Sequence, residues 1–329
     1  MKDVKRRVMR GFVSTVWGLL GLSTMCAAQS FPEKPLKLII PFTPGGVTDI
    51  VGRLAAQKLA EGLGQPVVAE NRAGAGGIIG TEAAAKSPPD GHTIFFGSTG
   101  NLSSNPVLHA KLPYDPIKSF SPISLLANAP VAIVVNTSVP ANNLKELIEL
   151  AKAKPGEIKF GSAGAGHFLH VAGEAFGIAA GVKLFHVPFR GAAQAIIDQL
   201  AGRIELMTDA ITPYQPHIQA GKLKALALAH TKRLAGAPNL PTTAEAGLPN
   251  YLFASRFGLL VPAGTPGPIV QRLNAETVKA LGTQEMLSTL AKAALEPYPS
   301  TPKEYADLIA SDLEIWRKTV NAAGIKLDQ

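Results

Sequence analysis

The chain has 329 residues, 46% hydrophobic, 6% aromatic and 17% charged, with one cysteine and a formal net charge of +8. That length and balance describe a globular protein with a large core and chain enough for two domains, and exclude a disordered one. Sparse aromatics argue against a stacking platform for single-stranded nucleic acid, and a single cysteine cannot build a disulfide framework.

The first 28 residues read as a secretory signal. Lys2, Lys5, Arg6, Arg7 and Arg10 form a basic start, Gly11–Leu22 an apolar stretch too short for a bilayer, and Cys26-Ala27-Ala28 a small-residue site placing cleavage near Ala28. The Arg6-Arg7 pair leaves both general and twin-arginine export open. Five of the 32 basic residues and one of the 24 acidic residues fall in this segment, so the mature charge drops from +8 to +4. That mild excess suits an acidic ligand and argues against nucleic acid. Cys26 leaves with the signal, and with it any disulfide, thiol nucleophile or cysteine metal site. The mature protein is expected outside the cytoplasm.

In chain order, Leu36–Ile40 reads as a buried strand, Pro41–Gly46 as a turn, and Ile50, Val51, Leu54, Ala55 and Leu59 as a helix starting near Thr48. A strand, a glycine turn and a helix start aim unpaired backbone N–H groups at one point, where the helix dipole favours an anion. Asp49 complicates this. It either complements the dipole in the first turn, locks the loop by accepting N–H bonds, or meets an ammonium group on a ligand.

Pro66–Glu70 reads as a second strand. The connector Asn71–Gly80 lacks the spacing of a dinucleotide fingerprint and reads as a loop with close backbone packing before a helix over Thr81–Lys86. Thr93–Phe96 is a strand ending in the polar loop Gly97–Asn101. Ala129–Asn136 reads as a strand crossing into a second domain, followed by a helix over Asn143–Ala153. The opening pattern then returns, with strand Ile158–Phe160, turn Gly161–Gly166 and a helix from His167, a second anion-competent corner.

Further strands are expected over Leu184–Phe189, over Arg203–Thr208 reaching Asp209, and over Lys224–Ala229, with helices over Ala192–Leu200 and Pro213–Ala220. Tyr251–Val261 reads as the strand crossing back. The tail reads as three helices, the last opening with a capping box at Thr301 and Glu304 and ending at Gly324. The alternation calls for an α/β fold with parallel sheets, ligands binding at the carboxyl ends of their strands.

The segments PFTPGGVTD (Pro41–Asp49), GQPVVAENRAGAGGIIG (Gly64–Gly80), PPDGHTI (Pro88–Ile94), LPYDPIKSFSPIS (Leu112–Ser124), GSAGAGHFLHVAGE (Gly161–Glu174), HVPFRG (His186–Gly191) and PTTAEAGLPN (Pro241–Asn250) together resemble the extracytoplasmic solute receptors of tripartite tricarboxylate transporters, the Bug family. The resemblance covers about Phe31 to Lys326. It implies a type II periplasmic-binding-protein fold, two doubly wound lobes with a ligand cleft between them. Lobe 1 would be residues 29–128 with 255–329, and lobe 2 residues 129–254.

The implied function is periplasmic capture of a small organic carboxylate for delivery to a transporter's membrane subunits, by a monomer without cofactor or metal. The alternatives are a receptor signalling to a membrane sensor and an exported enzyme; no nucleophile–base pair, carboxylate pair or metal cluster has persuasive spacing for the latter. The resemblance nominates Thr43, Gly45, Gly46 and Asp49 on one side of the cleft, and Ser162, Ala163, Gly164 and Gly166 on the other. Ser98, Thr99 and Asn101 fall on a third pocket loop, and Arg190 and Asp209 on loops of the second lobe.

Three positions depart from the family pattern. His167 stands where Ser or Thr is usual, Phe189 where an aromatic hydroxyl is usual, and Arg190 where Lys is usual. Arg190 is either a bidentate grip for a distal carboxylate or a solvated helix-start residue. Phe189 either faces an apolar or aromatic part of the ligand or, as expected, fills core beneath the loop, and a neutral His167 is expected to donate into the cleft. His170, three residues on, is expected to pack or cap rather than complete a metal pair.

Overall fold

The computed structural model describes residues 31–45, 47–189 and 191–325. The signal segment, Gly46 and Arg190 therefore lie outside the described residues. The first half contains β1 (Leu36–Ile40), α1 (Val47–Leu63), β2 (Val67–Asn71), a 3₁₀ turn (Ala75–Gly77) and α2 (Ile78–Ala85). It continues with β3 (Thr93–Ser98), a π-helical turn (Gly100–Ser104), α3 (Asn105–Leu108) and the long strand β4 (Phe120–Asn136).

After β4 come α4 (Leu144–Ala153), β5 (Lys159–Ser162), α5 (Phe168–Ala180), β6 (Phe185–Pro188), α6 (Ala192–Leu200) and β7 (Leu206–Ala210). Then follow α7 (Gln215–Gln219), β8 (Leu223–Leu228), β9 (Ala254–Pro262), α8 (Gly267–Leu281), α9 (Gln284–Lys292), β10 (Glu296–Pro297) and α10 (Pro302–Ala322).

The strands form one curled sheet in the order β2-β1-β3-β9-β4-β7-β5-β6, with β8 and β10 also on β4. β4 holds both halves. Its residues Phe120–Pro130 pair with β9, and Val131–Asn136 pair with β7 and β8. The chain returns beside the same point, where the Val131 N–H donates to the Phe253 carbonyl at 2.9 Å. The result is a two-lobed α/β architecture, the one that the resemblance implied.

The sheet is mixed, which corrects the expectation of parallel sheets. β1, β2 and β3 are mutually parallel, as are β5, β6 and β7, but β4 and β9 run antiparallel to their neighbours. A strand that passes from one lobe to the other cannot keep the direction set by local strand–helix–strand crossovers. The sequence also hid the first half of β4, because Pro122 cannot donate to a ladder. The structure accommodates it with register shifts between Pro122 and Ser124 and between Leu125 and Ala127.

The core is aliphatic and aromatic from β1, β3, β4, β5 and the inward faces of α5 and α10. In α10 the capping box forms as expected, and Tyr305, Ile309, Leu313, Trp316 and Val320 are buried. α5 lies so close to β5 that a Cβ built on Gly173 would stand 2.2 Å from the Phe160 ring. Phe160 is fully buried and has nowhere to move. Gly173→Ala is therefore expected to cost about 1–3 kcal/mol despite alanine's better helix propensity, read as a lower denaturation midpoint in urea.

Among the described residues no helix is long and apolar enough to cross a membrane.

Candidate functional site

The β1–α1 corner is closed by its own side chains. Asp49, 5% exposed in the first turn of α1, accepts the Gly45 N–H at 3.0 Å. It also accepts Asn71 Nδ2 at 2.8 Å and Arg53 Nε at 3.1 Å. Burial alone would raise the Asp49 pKa, but the bonds from Arg53, Gly45 and Asn71 overcome it and hold the carboxyl below its ordinary value. Asn71 Nδ2 also donates to the Phe42 carbonyl at 3.0 Å, tying the turn to the end of β2. Of the three roles open to Asp49, this geometry is the loop lock. Gly45 takes φ +87°, open to glycine and closed to most residues, but its amide is spent inside the loop.

The β5–α5 corner is also partly occupied. Ser162, fully buried, bonds Gly164 through Oγ, donating to its carbonyl (2.9 Å) and accepting its N–H (3.1 Å). Its Oγ lies 2.6 Å from His186 Nε2. The Gly166 N–H donates to His170 Nδ1 at 2.9 Å, and the His170 ring stacks on His186 with centroids 3.6 Å apart. Burial and then the neighbouring His170 push the His186 pKa down to about 4, so it is neutral near neutral pH. His170 thus takes the packing role expected of it.

What remains free in this corner differs from the expectation. Among the described residues the amides of Ala163 and Ala165 have no hydrogen-bond partner in the chain. His167 caps α5, its Nδ1 accepting the Leu169 N–H at 3.2 Å, so in the neutral ring the proton sits on Nε2. Desolvation by the surrounding protein holds its pKa below the ordinary 6.5.

The third loop turns inward. Ser98 Oγ donates to Asn101 Oδ1 at 2.7 Å, and Thr99 Oγ1 accepts the Arg256 N–H at 2.8 Å, against β9 and α10. Asn101, fully buried, lies beneath Gly77, its Nδ2 without a hydrogen-bond partner among the described residues. These three residues support the wall rather than line it. Phe189 is half-buried and packs against buried hydrophobic residues, as expected.

Asp209, near the end of β7, accepts the Ala210 N–H (2.7 Å) and the Tyr214 hydroxyl (3.2 Å), with no cation beside it among the described residues. Burial raises its pKa from 3.8 to about 6. Between those values the folded chain keeps a proton the unfolded chain has released, so stability falls as pH rises through the window and the penalty is complete above it. Asp209→Asn is expected to stabilise the unliganded protein near pH 7 by about 1–3 kcal/mol, and the gain should vanish below the unfolded pKa of about 3.8. Thermal melts across that range check it.

The β5–α5 corner faces a cavity of about 360 Å³, within the range of small-molecule sites, to which the β1–α1 turn contributes only Phe42 among the described residues. One wall is Ala163 to Phe168. The other is Phe42, Gly76, Gly100, Ser104 and Asn105, closed by Leu108 and His109. Thr43 and Gly45 are exposed but do not line it, and neither does Ser162.

Sequence reasoning missed Gly76, Ser104, Asn105 and His109. The signals were present: a glycine run, and the polar cluster Asn101–Asn105 inside an apolar stretch. π-Helical turns such as Gly100–Ser104 recur at functional sites, but no local pattern announces one.

Residues 51–325 match the tripartite tricarboxylate transporter family receptor. The chain belongs to that family. This receptor is 33% identical to protein BugT of Bordetella pertussis over 308 residues, covering 93% of this chain and 94% of BugT. It is 34% identical to R. palustris Rpa4515, solved with adipate, at TM-score 0.76 and covering 90% of this chain and 99% of that one. MatC from Rhodopseudomonas palustris, solved with bound malate, is 32% identical at TM-score 0.72, covering 88% and 100%. The family is one of solute-binding receptors, which also implies a periplasmic location and a membrane transporter as partner.

Proposed function

We propose that this receptor is an exported, monomeric binding protein, not an enzyme, that captures a small organic carboxylate and delivers it to the membrane subunits of a tripartite transporter. The lobes would be residues 29–128 with 255–329 and residues 129–254, following the crossings at β4 and before β9. The observation that carries the reading is the chemistry of the cavity. Its described walls offer neutral donors and no Asp or Glu side chain.

A carboxylate stripped of water loses several kcal/mol unless its lone pairs are met. Charge-assisted hydrogen bonds return about 1.5–3 kcal/mol each, and micromolar binding needs about −8 kcal/mol net, so three or four donors suffice. The Ala163 and Ala165 amides, His167, Ser104 and Asn105 supply that number. Gly164 and Gly166 shape the corner, while Thr43, Gly45 and Asp49 set the rim and its lock. Ser162, Ser98, Thr99 and Asn101 act by holding the walls, Asp209 acts through its bonds to the Ala210 N–H and the Tyr214 hydroxyl, and Arg190 is kept as a candidate contact for the ligand.

Calorimetric titration with adipate, malate and related acids tests the reading. It expects saturable one-to-one binding with a rise in melting temperature and no turnover. Chemical conversion of a bound acid, or no binding to any carboxylate, would overturn it.

A further inference from the structure

Resting on the carboxylate-receptor reading, we infer that His170 and His186 are positioning residues for the ligand, a stacked pair behind the β5–α5 corner that keeps the Ala163 and Ala165 amides turned to the cavity. Neither ring lines the cavity itself. His170 holds the turn directly, and His186 holds the serine that fixes it.

The hydrogen bonds assign a tautomer to each ring. Ser162 Oγ gives its one proton to the Gly164 carbonyl at 2.9 Å. The oxygen then accepts the Gly164 N–H at 3.1 Å and meets His186 Nε2 at 2.6 Å, so that nitrogen carries the imidazole proton. His170 accepts the Gly166 N–H on Nδ1 at 2.9 Å, which puts its own proton on Nε2, facing Glu174 Oε1 at 3.7 Å. Ser162 and His186 are spaced like a nucleophile and its base. The hydroxyl is fully buried and its proton is spent on Gly164, however, so the pair sets backbone geometry.

The consequence for the ligand lies in the alternation along the turn. The Gly164 and Gly166 amides are bonded inward to these side chains, and the Ala163 and Ala165 amides between them are left without a partner among the described residues. Gly164 and Gly166 take φ +131° and +74°, and the freedom that allows those angles allows many others. The turn therefore needs bracing from outside. The rings supply it as a unit, with centroids 3.6 Å apart and planes 8° apart, against Phe160 at 6.2 Å from His170 and 5.0 Å from His186. Amides already aimed where an anion will sit need no reordering when it binds.

The test exchanges each ring for the two amide side chains, because asparagine places its amide near the position of Nδ1 and glutamine near that of Nε2. His170→Asn, His170→Gln, His186→Gln and His186→Asn are titrated calorimetrically beside wild type with adipate and malate. His170→Asn and His186→Gln, which keep a partner at the bonded atom, should stay within about threefold of wild type. His170→Gln and His186→Asn should lose roughly 10- to 100-fold, as for one hydrogen bond to a charged group. A merely structural role would not reverse the preferred amide between the two positions. Independently of any ligand, side-chain nitrogen NMR of the wild type at neutral pH should show both rings as the neutral Nε2–H tautomer.

The same order of amides at both positions, four variants of equal affinity, or a proton on Nδ1 of either ring would overturn the inference and leave the receptor reading standing. Wild type that binds neither these acids nor any other carboxylate would overturn both. Should a mismatched variant fail to fold, the tautomers and the affinities of the two matched variants still decide.

Discussion

Gly164→Val is expected to abolish ligand binding while the receptor stays folded. Gly164 sits at φ +131°, where a β-branched residue is strained by about 1–3 kcal/mol. A Cβ there has room, its nearest neighbour being the Phe189 carbonyl at 3.6 Å, so the fold has no clash to relieve. The valine side chain would instead stand in a cavity that Gly164 lines. Relaxing the strain would also shift the Gly164 carbonyl, which accepts from Ser162 Oγ and the His167 N–H. Moving His167 and the neighbouring amides removes several donors together, so affinity should fall by at least about 100-fold, some 2.7 kcal/mol. Titration calorimetry reads the loss, and circular dichroism with a melt only a few degrees lower shows the fold retained. Unchanged affinity would mean that the corner does not hold the ligand.

Trp316→Ala carries the largest expected stability effect. Trp316 is 2% exposed on α10, with ring centroids 5.8 Å from both Phe168 and Phe253, which are themselves 5.3 Å apart. Phe253 lies where the chain returns toward β9, and Phe168 opens α5 beside the cavity. Truncating the indole leaves a cavity among three aromatic groups and should cost about 3–5 kcal/mol, read from the urea midpoint, with Trp316→Phe recovering most of it. Because Phe168 follows the helix-capping His167, the alanine variant should also bind ligand more weakly than the phenylalanine variant does. Equal affinities would separate the aromatic cluster from the site.

Much of this fold was legible one segment at a time. The periodicity of Ile50–Leu59 placed α1, the pair Thr301 and Glu304 placed α10, and the two strand–glycine–helix corners stood out because glycine is needed where φ is positive. The second half of β4, Ala129–Asn136, was also visible as an unbroken apolar run. The opening half of β4 was not, since Pro122 contradicts a strand locally and only bulged pairing with β9 reconciles it. α2 begins at Ile78 rather than Thr81, because the left-handed turn at Gly77 sets its start.

The site was legible as a pair of corners but not as a surface. Sequence by itself determined that two such corners exist, since a strand, a glycine turn and a helix start follow from backbone geometry within about ten residues. Which amides stay free was decided by side chains remote from each turn's centre: Asp49 takes Gly45, and His170 takes Gly166. Which residues line the cavity was decided by packing between segments far apart in sequence, which brings Gly76, Ser104 and His109 opposite Ala163–Phe168 and turns Thr99 toward Arg256. Local propensity carries no record of those approaches, because burial and hydrogen-bond pairing between distant segments exist only once the sheet has curled around β4.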